Sequence, residues 1–307
     1  MKEKTKPKQL ELIRRLIQGD SSAKKVLLNY IEELSLCNEA EIKLVKNLNR
    51  GNIFAKEFLE DYISKHMLWE KAEIELVKSL VQGNVFAKEF LEDYISEYSL
   101  FSAAEGKLVK CLSQGNIYAK KILLIYVLKW SFTDTIEVAL VKSLSQDTPF
   151  VKEVLEAYIE EHMLEDKAEI ELAKKLKQDN TFAKDILKDY ANRRILRRET
   201  LIELVKRLAQ GNTGAKEVLE FYIQSAPICN KAEVALVKSL AKDNIFAKEI
   251  LLNYISKYEL CNEAEVELAT SAVQGNADAK EILEVYNLKY GLCRMATKVL
   301  KDKGIEL

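Results

Sequence analysis

Two histidines, His66 and His162, are the side chains best suited to metal binding or to proton transfer near neutral pH. Both occupy the same position of a 32-residue sequence repeat, three repeats apart. At roughly 9–10 Å per packed helix layer, this places them about 30 Å from each other. The sequence therefore predicts that they share neither a metal ion nor a proton.

The spacing of the cysteines is not typical of a disulfide framework or of a metal site. The five cysteines form no Cys-x-x-Cys pair, and four of them recur at one repeat position. They are Cys37, Cys111, Cys229, Cys261 and Cys293. This spacing argues against a disulfide framework or a zinc site and favours free thiols in a reducing compartment. Phosphate-loop, GxSxG and HExxH motifs are missing. We predict that the chain is not an enzyme and uses no cofactor or metal.

Charge and hydropathy exclude other classes of function. The 307 residues include 47 basic and 48 acidic ones, a net charge of −1, which gives no general attraction to nucleic acid or to anionic membranes. No apolar run approaches the roughly 18 residues of a membrane span, and residues 1–9 are not followed by a signal-peptide core. We expect no membrane insertion. We expect a cytoplasmic location, or delivery to a host or other cell without the general secretory signal.

A tandem sequence repeat determines the positions of all the candidate site residues. Tyrosine recurs every 32 residues without an insertion. The column comprises Tyr30, Tyr62, Tyr94, Tyr126, Tyr158, Tyr190, Tyr222, Tyr254 and Tyr286. Two leucine columns, which begin at Leu12 and Leu27, keep the same register. Such strict phasing identifies a repeat architecture.

Each repeat reads as a helical hairpin. In the second repeat, apolar residues with helical spacing run from Ile42 to Leu48 in helix A and from Ala55 to Ile63 in helix B. A capping box, Asn38 with Glu41, is predicted to begin helix A. A Gln-Gly-Asn turn, as at 82–84, is predicted to end helix A with a left-handed glycine and to cap helix B with the asparagine.

One hairpin buries too little apolar surface to fold alone, so the repeats must stack. We predict an all-α, right-handed α-solenoid of nine tandem helix-turn-helix repeats plus a C-terminal capping helix. Residues 1–6 are expected to be a flexible N-terminus, residues 7–294 a single repeat domain, and residues 295–307 the capping helix and tail.

A variable column lies four residues after each tyrosine, near the end of helix B. This column, here called the ridge, comprises His66, Tyr98, Trp130, His162, Arg194, Tyr258 and Tyr290. Aromatic, histidine and arginine side chains are typical of binding hot spots. The ridge is therefore predicted to contact a partner. The alternative is that each side chain packs over a neighbouring repeat.

A lysine occupies the first turn of every helix B, where the helix dipole disfavours a cation. This lysine ladder includes Lys56, Lys88, Lys120, Lys152, Lys184, Lys216 and Lys248, and it continues at Lys24 and Lys280. Either neighbouring glutamates pair with these lysines, or the ladder follows a phosphate backbone.

A local excess of positive charge lies between the sixth and seventh repeats. This arginine cluster comprises Arg193, Arg194, Arg197 and Arg198. It is predicted to be either a solvated patch paired with Glu199 and Glu203 or a docking site for an acidic peptide or a phosphate.

The segment Phe86–Glu92, which follows a tight turn, resembles the loop and long-helix start of TAL-effector-type DNA-binding repeats. The resemblance covers the repeats and not the termini. It implies that the ladder lysines lie near phosphate and that Asn52, Asn84 and Asn116 face bases.

The leading interpretation is a non-enzymatic scaffold that binds a protein or peptide partner along an extended superhelical surface, through the ridge and the arginine cluster. The alternative is a nucleic-acid-binding array that places one ladder lysine per repeat on the phosphate backbone. The sequence leaves the oligomeric state open.

Overall fold

A computed structural model of the chain describes residues 6–176, 180–240 and 244–304. Within these ranges the secondary structure is helical, with nineteen α-helices and no strand. The helices are α1 (Lys6–Leu16), α2 (Ser21–Ile31), α3 (Asn38–Leu48), α4 (Ile53–Ile63), α5 (Glu70–Val81), α6 (Val85–Glu97), α7 (Ser102–Ser113), α8 (Ile117–Tyr126), α9 (Asp134–Lys142), α10 (Pro149–Glu161), α11 (Asp166–Lys175), α12 (Thr181–Arg193), α13 (Arg198–Leu208), α14 (Thr213–Tyr222), α15 (Asn230–Leu240), α16 (Ile245–Ile255), α17 (Asn262–Val273), α18 (Ala277–Tyr290) and α19 (Arg294–Lys301). The predicted all-α class and the two helices per repeat are confirmed.

The helices fall into two compact units, an N-terminal unit with α1–α10 and a C-terminal unit with α11–α19. Within each unit the odd-numbered A helices pack on one another in sequence order, and the even-numbered B helices do the same. The final helix, α19, packs on α17 at the position predicted for the capping helix. Most of the predicted flexible N-terminus, residues 1–5, lies outside the described residues.

The tyrosine column forms the centre of the hydrophobic core. From Tyr62 to Tyr286 every tyrosine of the column is buried, whereas Tyr30 of the first repeat is half-buried. Leu59 and Leu91 of the second leucine column are fully buried beside it. Burial of each such side chain contributes roughly 1.5–3 kcal/mol. The buried tyrosine therefore stabilises the second to the ninth repeats in the same way.

The turn between helices A and B has the predicted chemistry. Gly83 has a φ of 85°, the left-handed conformation that favours glycine. Asn84 accepts a hydrogen bond from the Ala87 N–H at 2.9 Å and so caps α6. Its amide nitrogen also donates to the Asn49 carbonyl of the preceding repeat at 2.5 Å. One asparagine thus caps its own helix B and satisfies the end of the preceding helix A.

Some of these glycines also make room for an aromatic ring of the next repeat. A Cβ at Gly51, where φ is 77°, would lie 2.9 Å from a ring carbon of Phe86. Gly115 has the same φ of 77°, but a Cβ there would meet no atom within 4 Å. The two positions separate the effect of backbone conformation from that of ring packing.

We therefore expect Gly51→Ala to lower the free energy of unfolding by roughly 2 kcal/mol, because it combines backbone strain with an overlap on Phe86. The matched control, Gly115→Ala, should lose only about 1 kcal/mol, from backbone strain alone. Urea denaturation followed by circular dichroism measures both losses. Equal losses would show that the ring contact adds nothing.

The predicted capping box at the start of α3 is wrong. The N-cap residue of α3 is Cys37, which makes no side-chain cap hydrogen bond. Glu41 is instead buried, and its carboxylate accepts hydrogen bonds from the Tyr62 hydroxyl at 2.7 Å and from the Trp69 N–H at 2.6 Å. The glutamate joins helix A to helix B and to the start of the next repeat.

Candidate binding surfaces

The heteroaromatic side chains of the ridge turn their ring nitrogens towards the preceding repeat. Nitrogens of His66, Trp130 and His162 lie 2.6, 2.8 and 2.7 Å from backbone carbonyl oxygens at the end of the preceding B helix. The last carbonyls of a helix have no partner within the helix. These three half-buried side chains therefore cap the neighbouring helix.

The three ridge tyrosines pack along their own helices. The rings of Tyr98, Tyr258 and Tyr290 lie 5.4, 5.2 and 5.1 Å from the ring of the column tyrosine four residues earlier. All three are half-buried, whereas Arg194 is exposed. Six of the seven ridge residues thus pack within the protein, and three of them, His66, Trp130 and His162, contact a neighbouring repeat as the alternative interpretation predicts. A binding role for the ridge stays a prediction.

The lysine ladder is paired with carboxylates of the B helices. Some pairs join neighbouring repeats, as between Lys56 and Glu89 at 3.1 Å. Others lie within one helix, as between Lys88 and Glu92 at 3.0 Å. The pKa of Lys56 is raised, first by its hydrogen bond to Glu89. These carboxylates offset the unfavourable helix dipole at each lysine.

The remaining ladder lysines have the same kind of partner. The pairs are Lys24 with Glu57, Lys120 with Glu153, Lys152 with Glu156, Lys184 with Glu217, Lys216 with Glu249, Lys248 with Asp278 and Glu281, and Lys280 with Glu284. Contact with a phosphate backbone would therefore require the exchange of ion pairs along the whole ladder.

The asparagines that the TAL-type resemblance assigns to base reading are engaged inside the stack. The Asn52 amide nitrogen donates to the Ile17 carbonyl at 2.9 Å, and the Asn116 amide nitrogen donates to the Val81 carbonyl at 2.8 Å. Their amide oxygens cap α4 and α8, as that of Asn84 caps α6. Both ends of each amide are therefore used within the protein.

The four residues of the arginine cluster have different surroundings in the structure. Arg193 pairs with Asp189 of its own helix at 3.2 Å, and Arg194 is exposed. Arg197 is half-buried, donates to the Leu164 carbonyl at 3.1 Å and faces the buried carboxylate of Glu169 at 3.5 Å. Arg198 begins α13, is exposed, and forms no ion pair with any described residue.

A second column of lysines lies on the exposed side of the A helices. These A-face lysines are Lys46, Lys78, Lys110, Lys142, Lys174, Lys206 and Lys238, and all are exposed. They sit in the last turn of their helices, where the dipole favours a cation. Their regular recurrence was visible in the sequence, but a lysine at a helix C-terminus is usually only a solvated residue.

The A-face lysines are more weakly paired than the ladder. Lys78, Lys174 and Lys206 lie 3.6, 3.6 and 3.8 Å from a glutamate three residues earlier. Within the described part of the chain, Lys46 and Lys110 form no ion pair. The A helices therefore present cations that are available to a ligand.

A cavity of about 620 Å³ opens on the A face of the C-terminal unit, over α13 and α15. This C-terminal pocket is lined by Arg198, Ile202, Asn230, Lys231, Val234, Ala235, Lys238 and Glu263. Ile202, Val234 and Ala235 are half-buried and form an apolar floor, while the cations around them are exposed. The pocket can hold an apolar side chain next to an acidic group.

A cavity of about 490 Å³ lies between α3 and α5 in the N-terminal unit. This N-terminal pocket is lined by Lys46, Asn49, Arg50, Glu75, Ser79, Gln82, Gly83 and Asn84. Its lining is mostly polar, with amide, hydroxyl and cationic groups. It suits a charged or hydrogen-bonding ligand better than an apolar one.

Across the residues that the structure describes, no group of three histidine, cysteine, aspartate or glutamate side chains is placed to hold a metal ion. No described helix has the length and apolar character needed to cross a membrane. No family model matches the chain, and no curated protein or solved structure shows significant similarity to it.

Proposed function

We propose that this chain is a non-enzymatic helical-repeat scaffold that binds a protein or peptide partner, and that the partner lies on the exposed face of the A helices. The C-terminal pocket carries the proposal, because it combines an apolar floor with exposed cations on packed, regular helices. Apolar pockets with a few convergent polar groups are typical ligand sites.

The A face is better suited to this role than the ridge or the ladder. The ring nitrogens of His66 and Trp130 already hold backbone carbonyls, so a partner would have to compete with helix capping. The ladder lysines are neutralised by carboxylates. Arg198 and Lys231, in contrast, have no ion-pair partner among the described residues.

The proposal can be tested with a random peptide library displayed on phage and selected against the intact chain. We expect the selected peptides to carry an apolar residue beside acidic residues. Val234→Asp should weaken their binding at least ten-fold, about 1.4 kcal/mol, because it places a carboxylate on the apolar floor. Fluorescence polarisation measures the affinities.

Val266→Asp is the matched control, because Val266 occupies the equivalent position of α17 and does not line the pocket. It should leave the affinities unchanged. Circular dichroism confirms that both variants fold. Selected peptides that bind Val234→Asp as tightly as the original chain would contradict the proposal.

Nucleic-acid binding through the lysine ladder stays a prediction. Two observations give this function no support. The ladder lysines form ion pairs with carboxylates, and the amides of Asn52, Asn84 and Asn116 are used in helix capping.

A further inference from the structure

The N-terminal unit presents a cationic track on its A face. Lys46, Lys78 and Lys110 are exposed at equivalent positions of α3, α5 and α7. Arg50 is exposed beside Lys46, and both line the N-terminal pocket. Three lysines in register on directly packed helices form a regular row of charge rather than a scattered one.

The spacing of this row follows from helix packing. Directly packed helices have axes roughly 8–10 Å apart, so equivalent side chains recur at about that distance. An extended peptide in the polyproline II conformation rises about 3.1 Å per residue with three residues per turn. Its side chains at every third position therefore point the same way, about 9 Å apart. The two periods match.

The N-terminal pocket supplies hydrogen-bonding groups for such a peptide. A polyproline II backbone has no internal hydrogen bonds, so its amide groups need partners in solvent or on the protein. Gln82 is exposed at the rim of the pocket, and the half-buried Ser79 hydroxyl, which accepts from the Asn49 amide at 2.5 Å, keeps its own hydrogen to donate. Hydroxyl and amide groups therefore lie beside the track where a peptide backbone would pass.

The same surface is poorly suited to nucleic acid. Glu75 lies in the N-terminal pocket, 3.6 Å from Lys78, and would repel a continuous phosphate backbone. Helices α3, α5 and α7 contain no aromatic residue on which bases could stack, and the exposed rings of Trp69 and Phe101 lie at the opposite ends of α5 and α7 from the lysines. A peptide with separated carboxylates can avoid Glu75.

We propose that the N-terminal unit binds an extended acidic peptide segment whose carboxylates recur at every third residue, each beside one of Lys46, Lys78 and Lys110. This inference rests on the proposed function, since both use the A face, but it involves different residues and a different unit.

The test uses the intact chain and two fluorescein-labelled 15-residue peptides of identical composition. One repeats Glu-Pro-Gln five times, and the other carries its glutamates in one block. We expect the periodic peptide to bind at least ten-fold more tightly in fluorescence polarisation at low salt. Equal affinities would overturn the proposal, because general attraction between opposite charges would then be sufficient.

Two triple variants with the same change in charge identify the surface. Lys46→Gln with Lys78→Gln and Lys110→Gln should weaken the periodic peptide at least ten-fold. Lys56→Gln with Lys88→Gln and Lys120→Gln, on the ladder, should leave it unchanged. A larger loss in the ladder variant would overturn the proposal. So would a single-stranded oligonucleotide that binds the A-face lysines more tightly than the peptide.

Val234→Asp separates this inference from the proposed function. It should not alter binding of the periodic peptide, because Val234 lies in the C-terminal pocket. If library peptides bind that pocket while the periodic peptide fails, this inference alone is wrong. If the periodic peptide binds the track while no library peptide depends on Val234, the pocket proposal alone is wrong.

Discussion

Replacement of Glu73 by alanine is expected to lower the free energy of unfolding by about 3–5 kcal/mol, because it leaves buried donors without a partner. Glu73 is fully buried, and its carboxylate accepts hydrogen bonds from the Tyr94 hydroxyl at 2.7 Å and from the Phe101 N–H at 2.8 Å. The Tyr94 hydroxyl in turn accepts from the Leu68 N–H at 3.1 Å. Urea denaturation at pH 7 measures the loss.

The first repeat supplies the matched control. Gln9 occupies the position of Glu73, with its amide nitrogen 2.6 Å from the Tyr30 hydroxyl and its oxygen accepting from the Cys37 N–H at 2.9 Å. Glutamine therefore keeps the bonds to the tyrosine oxygen and to the backbone N–H, but at position 73 it would leave the hydroxyl hydrogen of Tyr94 without its acceptor. Glu73→Gln should therefore lose about 1–3 kcal/mol at pH 7, less than the alanine variant, because one buried donor instead of two is left unpaired. A loss as large as that of alanine would show that the geometry of these hydrogen bonds is not what stabilises the repeat.

This network accounts for the constant 32-residue spacing of the repeats, among which no insertion occurs. Glu73 lies in α5 and Tyr94 in α6, while Leu68 and Phe101 precede the A helices of their own repeat and the next one. The hydrogen bonds thus fix the positions of four residues, Leu68, Glu73, Tyr94 and Phe101, relative to one another. An added residue would break one of these hydrogen bonds inside the core, where an unpaired group costs most.

The hairpins and their turns could be predicted from the sequence because their signals are local. The helical spacing around Tyr62 and the glycine and asparagine of the turn each lie within one repeat. The role of Glu41 could not be predicted in this way. Its distance from Asn38 suits a capping box, and only the packed neighbours decide that the carboxylate points inwards to Tyr62.

The contacts of the candidate site residues could not be predicted from the sequence either, because they depend on packing between repeats. A column identifies which residues recur, but it does not show where their polar atoms point. His66 and Trp130 have the composition of a hot spot, and their ring nitrogens nevertheless cap a neighbouring helix. The C-terminal pocket arises from how α13 and α15 pack, and no single repeat contains that information.

A fall in pH from 8 to 5 is expected to increase the free energy of unfolding, the reverse of ordinary acid denaturation. Burial raises the pKa of the Glu41 and Glu73 carboxyls to about 7, although hydrogen bonds from Tyr62 and Trp69 oppose this at Glu41. The charge of Glu73 further raises the pKa of Glu41, and that of Glu105 raises the pKa of Glu73.

The sign follows from proton binding. Between the unfolded pKa of roughly 4.3 and the folded value of about 7, the folded chain binds more protons than the unfolded chain. Stability is therefore fully present below the unfolded pKa and is lost as the pH rises through 7. Each carboxyl contributes up to roughly 3 kcal/mol over this range.

Urea denaturation at intervals from pH 8 to pH 5 measures the effect, and Glu41→Gln with Glu73→Gln is the control. Because glutamine does not titrate and Gln9 shows that it is accommodated, the double variant should have a flatter stability profile than the original chain. Its relative stability should be greatest at pH 8, where the original chain must hold two charged carboxylates in its core. Parallel profiles would show that these carboxyls titrate alike in the folded and unfolded chain, and the network would then act through geometry alone.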